Sequence, residues 1–207
     1  MLFVVSVAST VHWSRIMAMG MRMPFAAFLA MWVAMMGAMM IPSLAPTLLR
    51  DDVALDSGAL SAAGYFTMWA AFGAGVYAVA VAVVAAEMCW PAFARAIPTL
   101  RGCALNAAGL VQLSSWKARH LECCRKAGPE AARPGAAWRR GISFGVDCVL
   151  CCIPLMTVLV ALGMMSLPLI ALLAVAITAE RIAREPAPIV RLVGMLTIAI
   201  GAFEIVK

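Results

Sequence analysis

Charged and uncharged stretches alternate along this chain with the spacing of membrane crossings. No charged side chain occurs from Met23 to Leu49 or from Ser57 to Ala86. Each window holds the roughly 20 apolar residues that a helix needs to cross a bilayer core, and they predict spans over 25–48 and 64–86. A third uncharged stretch runs from Cys148 to Ala179, too long for one crossing once Gly141 to Val146 are added. The segment Gly163-Met-Met-Ser-Leu-Pro168 contains residues that end helices and turn chains. The pattern therefore predicts a tight helical hairpin, 142–163 and 167–183. Residues 188–206, bounded by Arg191 and Glu204, form a final short span. Residues 96–116 carry Arg101, Asn106 and Gln112, which a helix packed among others tolerates. Counted as a crossing, it brings the total to six and the fold class to an all-α, polytopic transmembrane bundle in one domain, 1–207.

These six crossings put residues 50–63, 117–140 and 181–187 on one side, with Lys117, Arg119, Arg125, Lys126, Arg139 and Arg140 in the longest of the three. The positive-inside bias makes that side cytoplasmic, as in a bacterial inner membrane, with both termini outside. Residues 1–13 are apolar but too short to span, and Arg15 follows them where a signal peptide has its charge in front. They are expected to be an interfacial helix or the tail of a longer first span. Composition agrees with a membrane chain: 65% hydrophobic, 13% charged, mean hydropathy +0.98. It excludes a disordered chain, a disulfide-rich secreted module and almost any water-soluble enzyme. The net charge of +6 belongs to topology and lipid headgroups rather than to nucleic acid.

Composition adds one thing the hydropathy pattern does not contain: 16 Met and 7 Cys, together outnumbering the 16 Lys plus Arg. The densest group is Asp147-Cys148-Val149-Leu150-Cys151-Cys152, one to two turns inside a predicted span. Positions three and four apart share a helix face, so Cys148 neighbours Cys151 and Cys152, and Asp147 neighbours Cys151. Pro154 follows and weakens the preceding turn. Several thiolates on one face suit a soft ion such as copper(I), and an intramembrane carboxylate is by default a functional candidate. A second cluster, His120, Cys123 and Cys124, lies in the basic loop with imidazole and thiolate donors one turn apart. On the six-span topology both clusters face the same side of the membrane.

Methionine forms the third group. Met17, Met19, Met21 and Met23 alternate ahead of the first span, with His12 nearby. Met31, Met35 and Met39 then make an i, i+4, i+8 stripe flanked by Met36 and Met40. Thioethers bind copper(I) without deprotonation. The competing explanation for each group is packing, since Cys and Met also fill apolar interiors. Cys89 and Cys103 fall near outer helix ends, as a disulfide or as inert thiols. Gly141-x-x-x-Gly145, with Gly73 and Gly75, predicts close helix approach. There is no P-loop, GxSxG elbow or HExxH, so neither nucleotide-driven pumping nor hydrolysis is expected of this chain.

These motifs together resemble a family of metal-binding integral membrane proteins. One branch is described as a membrane copper chaperone associated with a bacterial tyrosinase-type polyphenol oxidase. The resemblance begins at MWVAMMGAMMIPSLAP (Met31–Pro46) and continues at QLSSWKARHLECCR (Gln112–Arg125). There Gln112, Leu113, Lys117, Leu121, Cys124 and Arg125 match, while His120 replaces a Cys. It is most specific at WRRGISFGVDCVLCC (Trp138–Cys152), where Cys148, Cys151 and Cys152 match. Phe144 stands in place of His and Leu150 in place of Gly. ALGMMS, Ala179-Glu180-Arg181, Arg191 and Gly194 follow in the family's order. The resemblance covers roughly residues 15–201.

It implies a copper(I)-handling protein with no catalytic role, whose partners are membrane lipid and a cuproenzyme. The expected metal ligands are Cys148, Cys151, Cys152, Asp147, His120, Cys123, Cys124, Met31, Met35, Met36, Met39 and Met40. The mechanism would be ligand exchange from neutral thioethers to thiolates. The residues alone leave other readings open: a thiol oxidoreductase using Cys148-x-x-Cys151, a carrier of another soft ion, or a structural subunit of a membrane complex.

Overall fold

A computed structural model describes residues 24–48, 55–126, 134–164 and 166–207. Among these residues all regular structure is helical: α1 (Phe25–Leu48), α2 (Leu55–Cys89), α3 (Pro91–Gln112), α4 (Ser115–Lys126), α5 (Pro134–Leu162), α6 (Leu167–Ile182) and α7 (Ala187–Val206). The Met17–Met23 run and His12 lie outside the described residues. Each predicted span coincides with a helix, although α2 and α5 begin earlier than the hydropathy windows. By length and apolarity α2, α5 and α7 suffice to cross a membrane. α6, with 16 residues, is about 24 Å long, and α3 is interrupted by polar side chains.

The helix ends follow from local chemistry. Pro91 opens α3 at its first position after the extended Trp90, where its missing N–H costs nothing. The predicted 163–168 turn is realised by Gly163 at φ 121°, a conformation that Cβ-bearing residues avoid, followed by the extended Ser166 and then Pro168 in the first turn of α6. The main departure from expectation lies in 117–140. Expected as a basic loop, that stretch contains most of α4 and the first turns of α5. Charged side chains hid the helix because it has no long apolar run, yet Leu121 and Cys124 lie on one face, and both are buried.

Small residues set which helices touch. A Cβ on Gly109 would lie 2.9 Å from the carbonyl oxygen of Gly194, and one on Gly201 would lie 2.9 Å from the amide nitrogen of Asn106. α3 and α7 therefore run antiparallel with their backbones in contact. Gly141 and Gly145 bring α5 equally close to α2, here running parallel: a Cβ on Gly141 would collide with Ser61, and one on Gly145 with Met68. Of the other predicted pair, Gly73 accommodates the Trp32 ring and Gly75 faces open space.

Polarity is distributed inside-out. Val79, Met88, Leu172, Val175, Leu192, Met195 and Phe203 are exposed, whereas Gln112, Lys117, Glu180 and Arg181 are buried. So large an apolar exterior suits lipid rather than water. Among the described residues the interior is one cluster, to which α1 contributes Met31, Trp32, Met35, Met36, Met39 and Met40. α2 adds Tyr65 and Trp69, and α5 adds its three cysteines, Leu155, Met156 and Leu159.

Candidate metal centre

Helical periodicity places Cys148, Cys151 and Cys152 on the inward face of α5, and all three are buried. The Sγ atoms of Cys151 and Cys152 are 3.7 Å apart. A fourth thiol arrives from α4: Cys124 is buried, with its Sγ 3.7 Å from that of Cys151. Two sulfurs bound to one metal at about 2.3 Å, at a near-tetrahedral angle, have this separation. The pairs thus fit a soft ion, but no three of the described His, Cys, Asp and Glu side chains converge on a point that would hold one. For an ion to bind there, the thiols would have to turn from contacts with each other to contacts with the metal. Hydrogen bonds with Cys148 and Cys151, together with burial, push the Cys124 thiol up in pKa. An ion bound there would have to displace a proton.

α4 is held against α5 and α6 by a buried polar knot. Lys117 Nζ lies 2.8 Å from Glu180 Oε2 of α6 and donates to the Cys151 carbonyl of α5 at 2.7 Å. Both side chains are about 1–2% exposed. Burial alone would lower the Lys117 pKa, but the Glu180 carboxylate outweighs it and holds the ammonium above its ordinary value. Gln112 Nε2 donates to the other Glu180 oxygen at 2.5 Å, and Arg125 donates to the Glu180 backbone carbonyl at 3.1 Å. The Cys151 carbonyl adjoins that of Leu150, whose helical partner Pro154 removes. One cation thus ties three helices together at the thiol cluster.

Cys148 faces different neighbours. Its Sγ is 3.1 Å from the Tyr65 hydroxyl and accepts from Arg181 Nη2 at 3.2 Å. Phe144, at the position where the resemblance leads one to expect His, stacks on Tyr65 with ring centroids 5.4 Å apart. The Arg181 guanidinium lies 5.6 Å from the Phe144 centroid, a cation–π distance.

The remaining predicted ligands fall in two other places. His120 Nδ1 lies 3.2 Å from Asp147 Oδ1, with both side chains partly exposed, and the imidazole packs edge-on to Trp116. Asp147 therefore turns to the histidine rather than toward Cys151, and Cys123 is exposed. The five methionines of α1 are buried in the same core as the thiols. Cys89 and Cys103 are free and exposed. Tyr65 carried no sequence signal. Lys117, Glu180 and Arg181 stood in the family motifs without an assigned role, and the signal available was an ionisable residue within or beside an apolar stretch.

No curated protein and no solved structure matches the chain. A family model described as PpoB2, copper chaperone, matches residues 29–203. That match takes in the methionine stripe, the α4 cluster, the cysteines of α5 and the Glu180–Arg181 pair, and the chain belongs to the PpoB2 copper chaperone family.

Proposed function

We propose that this protein crosses the membrane six times and carries copper(I), receiving it and passing it by ligand exchange to a cuproenzyme or its assembly partner. Copper is cargo in this reading, and the chain catalyses no reaction. The observation that carries it is that four buried thiols from two helices, Cys124, Cys148, Cys151 and Cys152, share one core, with the sulfurs of Cys124 and Cys152 each 3.7 Å from that of Cys151. They form the holding site. His120, oriented by Asp147, stands with Cys123 at the partly exposed edge as an outer station. A carboxylate hydrogen-bonded to one imidazole nitrogen fixes the ring and leaves the other nitrogen available as a ligand. Met31, Met35, Met36, Met39 and Met40 offer neutral thioethers inside the same core, which pass a monovalent soft ion without proton exchange.

Two packing facts support six crossings. α3 lies antiparallel along α7 through Gly102, Gly109, Gly194 and Gly201, so it crosses wherever α7 does. Its Arg101 is paired with Glu204, which lowers the cost of both in an apolar setting. With 117–140 cytoplasmic, as in a bacterial inner membrane, the start of α5 and the end of α6 share the α4 side, and Lys117 reaches from there to Glu180 and to the Cys151 carbonyl past the middle of α5. The test is copper per purified protein, loaded anaerobically, for wild type and for the Cys148→Ser/Cys151→Ser double variant. Copper bound by wild type and lost from the variant is the expected result. Equal, near-zero loading in both overturns the reading.

A further inference from the structure

The four thiols are not equivalent. Among the described contacts, the sulfurs of Cys124, Cys151 and Cys152 meet other thiols, whereas that of Cys148 also meets the Tyr65 hydroxyl and the Arg181 guanidinium. Resting on the copper reading above, we propose that Cys148 is the exchange ligand, the one that releases copper first, and that Tyr65 and Arg181 set its lability.

A sulfur bound to copper shares its negative charge with the metal, but a released thiolate carries the full charge. Donors fixed beside it interact more strongly with the released form, and charge-assisted hydrogen bonds are roughly twice as strong as neutral ones. They therefore lower the energy of the state in which Cys148 has let go, by the differential stabilisation that preorganised donors give to any developing charge. Preorganisation is visible here. Phe144 stacks on Tyr65 and lies beneath Arg181, while Phe66 and Trp69 pack edge-on against the Tyr65 ring. Both donors are held in place before the sulfur moves. Phe144 thus acts as a positioning residue for the two donors.

The step balances without a redox partner. The copper–Cys148 bond breaks with both electrons remaining on sulfur, and a soft donor of the acceptor, a thiolate or thioether, supplies the pair that replaces it. Copper stays monovalent, and Cys124, Cys151 and Cys152 hold it until the acceptor's next donor arrives.

The experiment follows transfer of copper(I) from the loaded, detergent-purified protein to a soluble chromophoric copper(I) chelator. Tyr65→Phe removes the hydroxyl and keeps the ring packing. It is expected to slow release about tenfold, the loss of one hydrogen bond to a charged group, with copper per protein unchanged. Cys148→Ser is expected to retain copper at equilibrium, and Cys151→Ser to lose it. Release from Tyr65→Phe as fast as or faster than from wild type overturns the proposal. So does a Cys148→Ser variant as empty as Cys151→Ser. A wild type that takes up no copper overturns the copper reading itself, and that outcome is distinct from both.

Discussion

Along the α3–α7 seam, glycines bring two backbones into contact and the outward faces are apolar side chains. Around the thiol cluster the opposite holds: long polar side chains and sulfur fill the space between α4, α5 and α6. Both regions belong to one very apolar chain, yet only the second concentrates chemistry. Backbone contact leaves little room for donor atoms, and the Arg101–Glu204 pair lies toward the C-terminal end of α7, so the glycine seam serves as architecture. A knot of Lys117, Glu180 and Gln112 keeps helices joined through their side-chain ends, and the interior between them is free to hold thiols. The difference is between helices joined by what they lack and helices joined by what they carry.

That contrast is most severely tested at the buried ion pair. Lys117→Met or Glu180→Met alone leaves one charge uncompensated in the interior and is expected to cost about 3–5 kcal/mol, read as thermal unfolding in detergent. The double variant recovers most of this loss, because replacing both charges by apolar groups removes the desolvation cost as well as the attraction. A double variant as unstable as the sum of the singles would show that the pair acts through separate partners.

The seam comes next. Gly109→Val pushes a side chain against Gly194 and Ile198 and should cost about 1–3 kcal/mol by overpacking. Copper per folded protein is expected to stay at the wild-type value. A loss of copper without a loss of stability would break the separation of seam from site. The smallest effect is expected at the exposed edge of the site. Cys123→Ser should change stability by no more than about 0.5 kcal/mol and leave equilibrium copper unchanged, while slowing the initial uptake measured by stopped flow. Uptake at the wild-type rate would remove Cys123 from the outer station and confine the site to the buried thiols.

Much of this architecture was legible beforehand for a simple reason. Uncharged windows bounded by Arg22, Arg50 and Glu87 mark helices whatever they pack against, and all six expected spans have a helix. α4 was not legible, because its burial depends on a single face of Leu121 and Cys124 within a basic string. Of the candidate ligands, periodicity alone grouped Cys148, Cys151 and Cys152, since neighbours on one helix need no knowledge of the fold. It was a poorer guide to Asp147 and His120. Each was grouped with cysteines by sequence distance, and they pair with each other across α4 and α5.

The sequence by itself therefore determined what is encoded within a turn or a run of residues. That includes helix content, the hairpin at Gly163, the cysteine face of α5 and membership of a copper-handling family through locally spaced motifs. Only the tertiary structure decided which of two adjacent cysteines in α4 turns inward, that Lys117 and Glu180 form the buried knot, and that Tyr65 and Arg181 meet Cys148. Tyr65 and Cys148 lie 83 positions apart, and Gln112 and Glu180 lie 68 apart. Contacts at such separations are set by how helices dock, through glycines and buried charge, and no local periodicity carries that information.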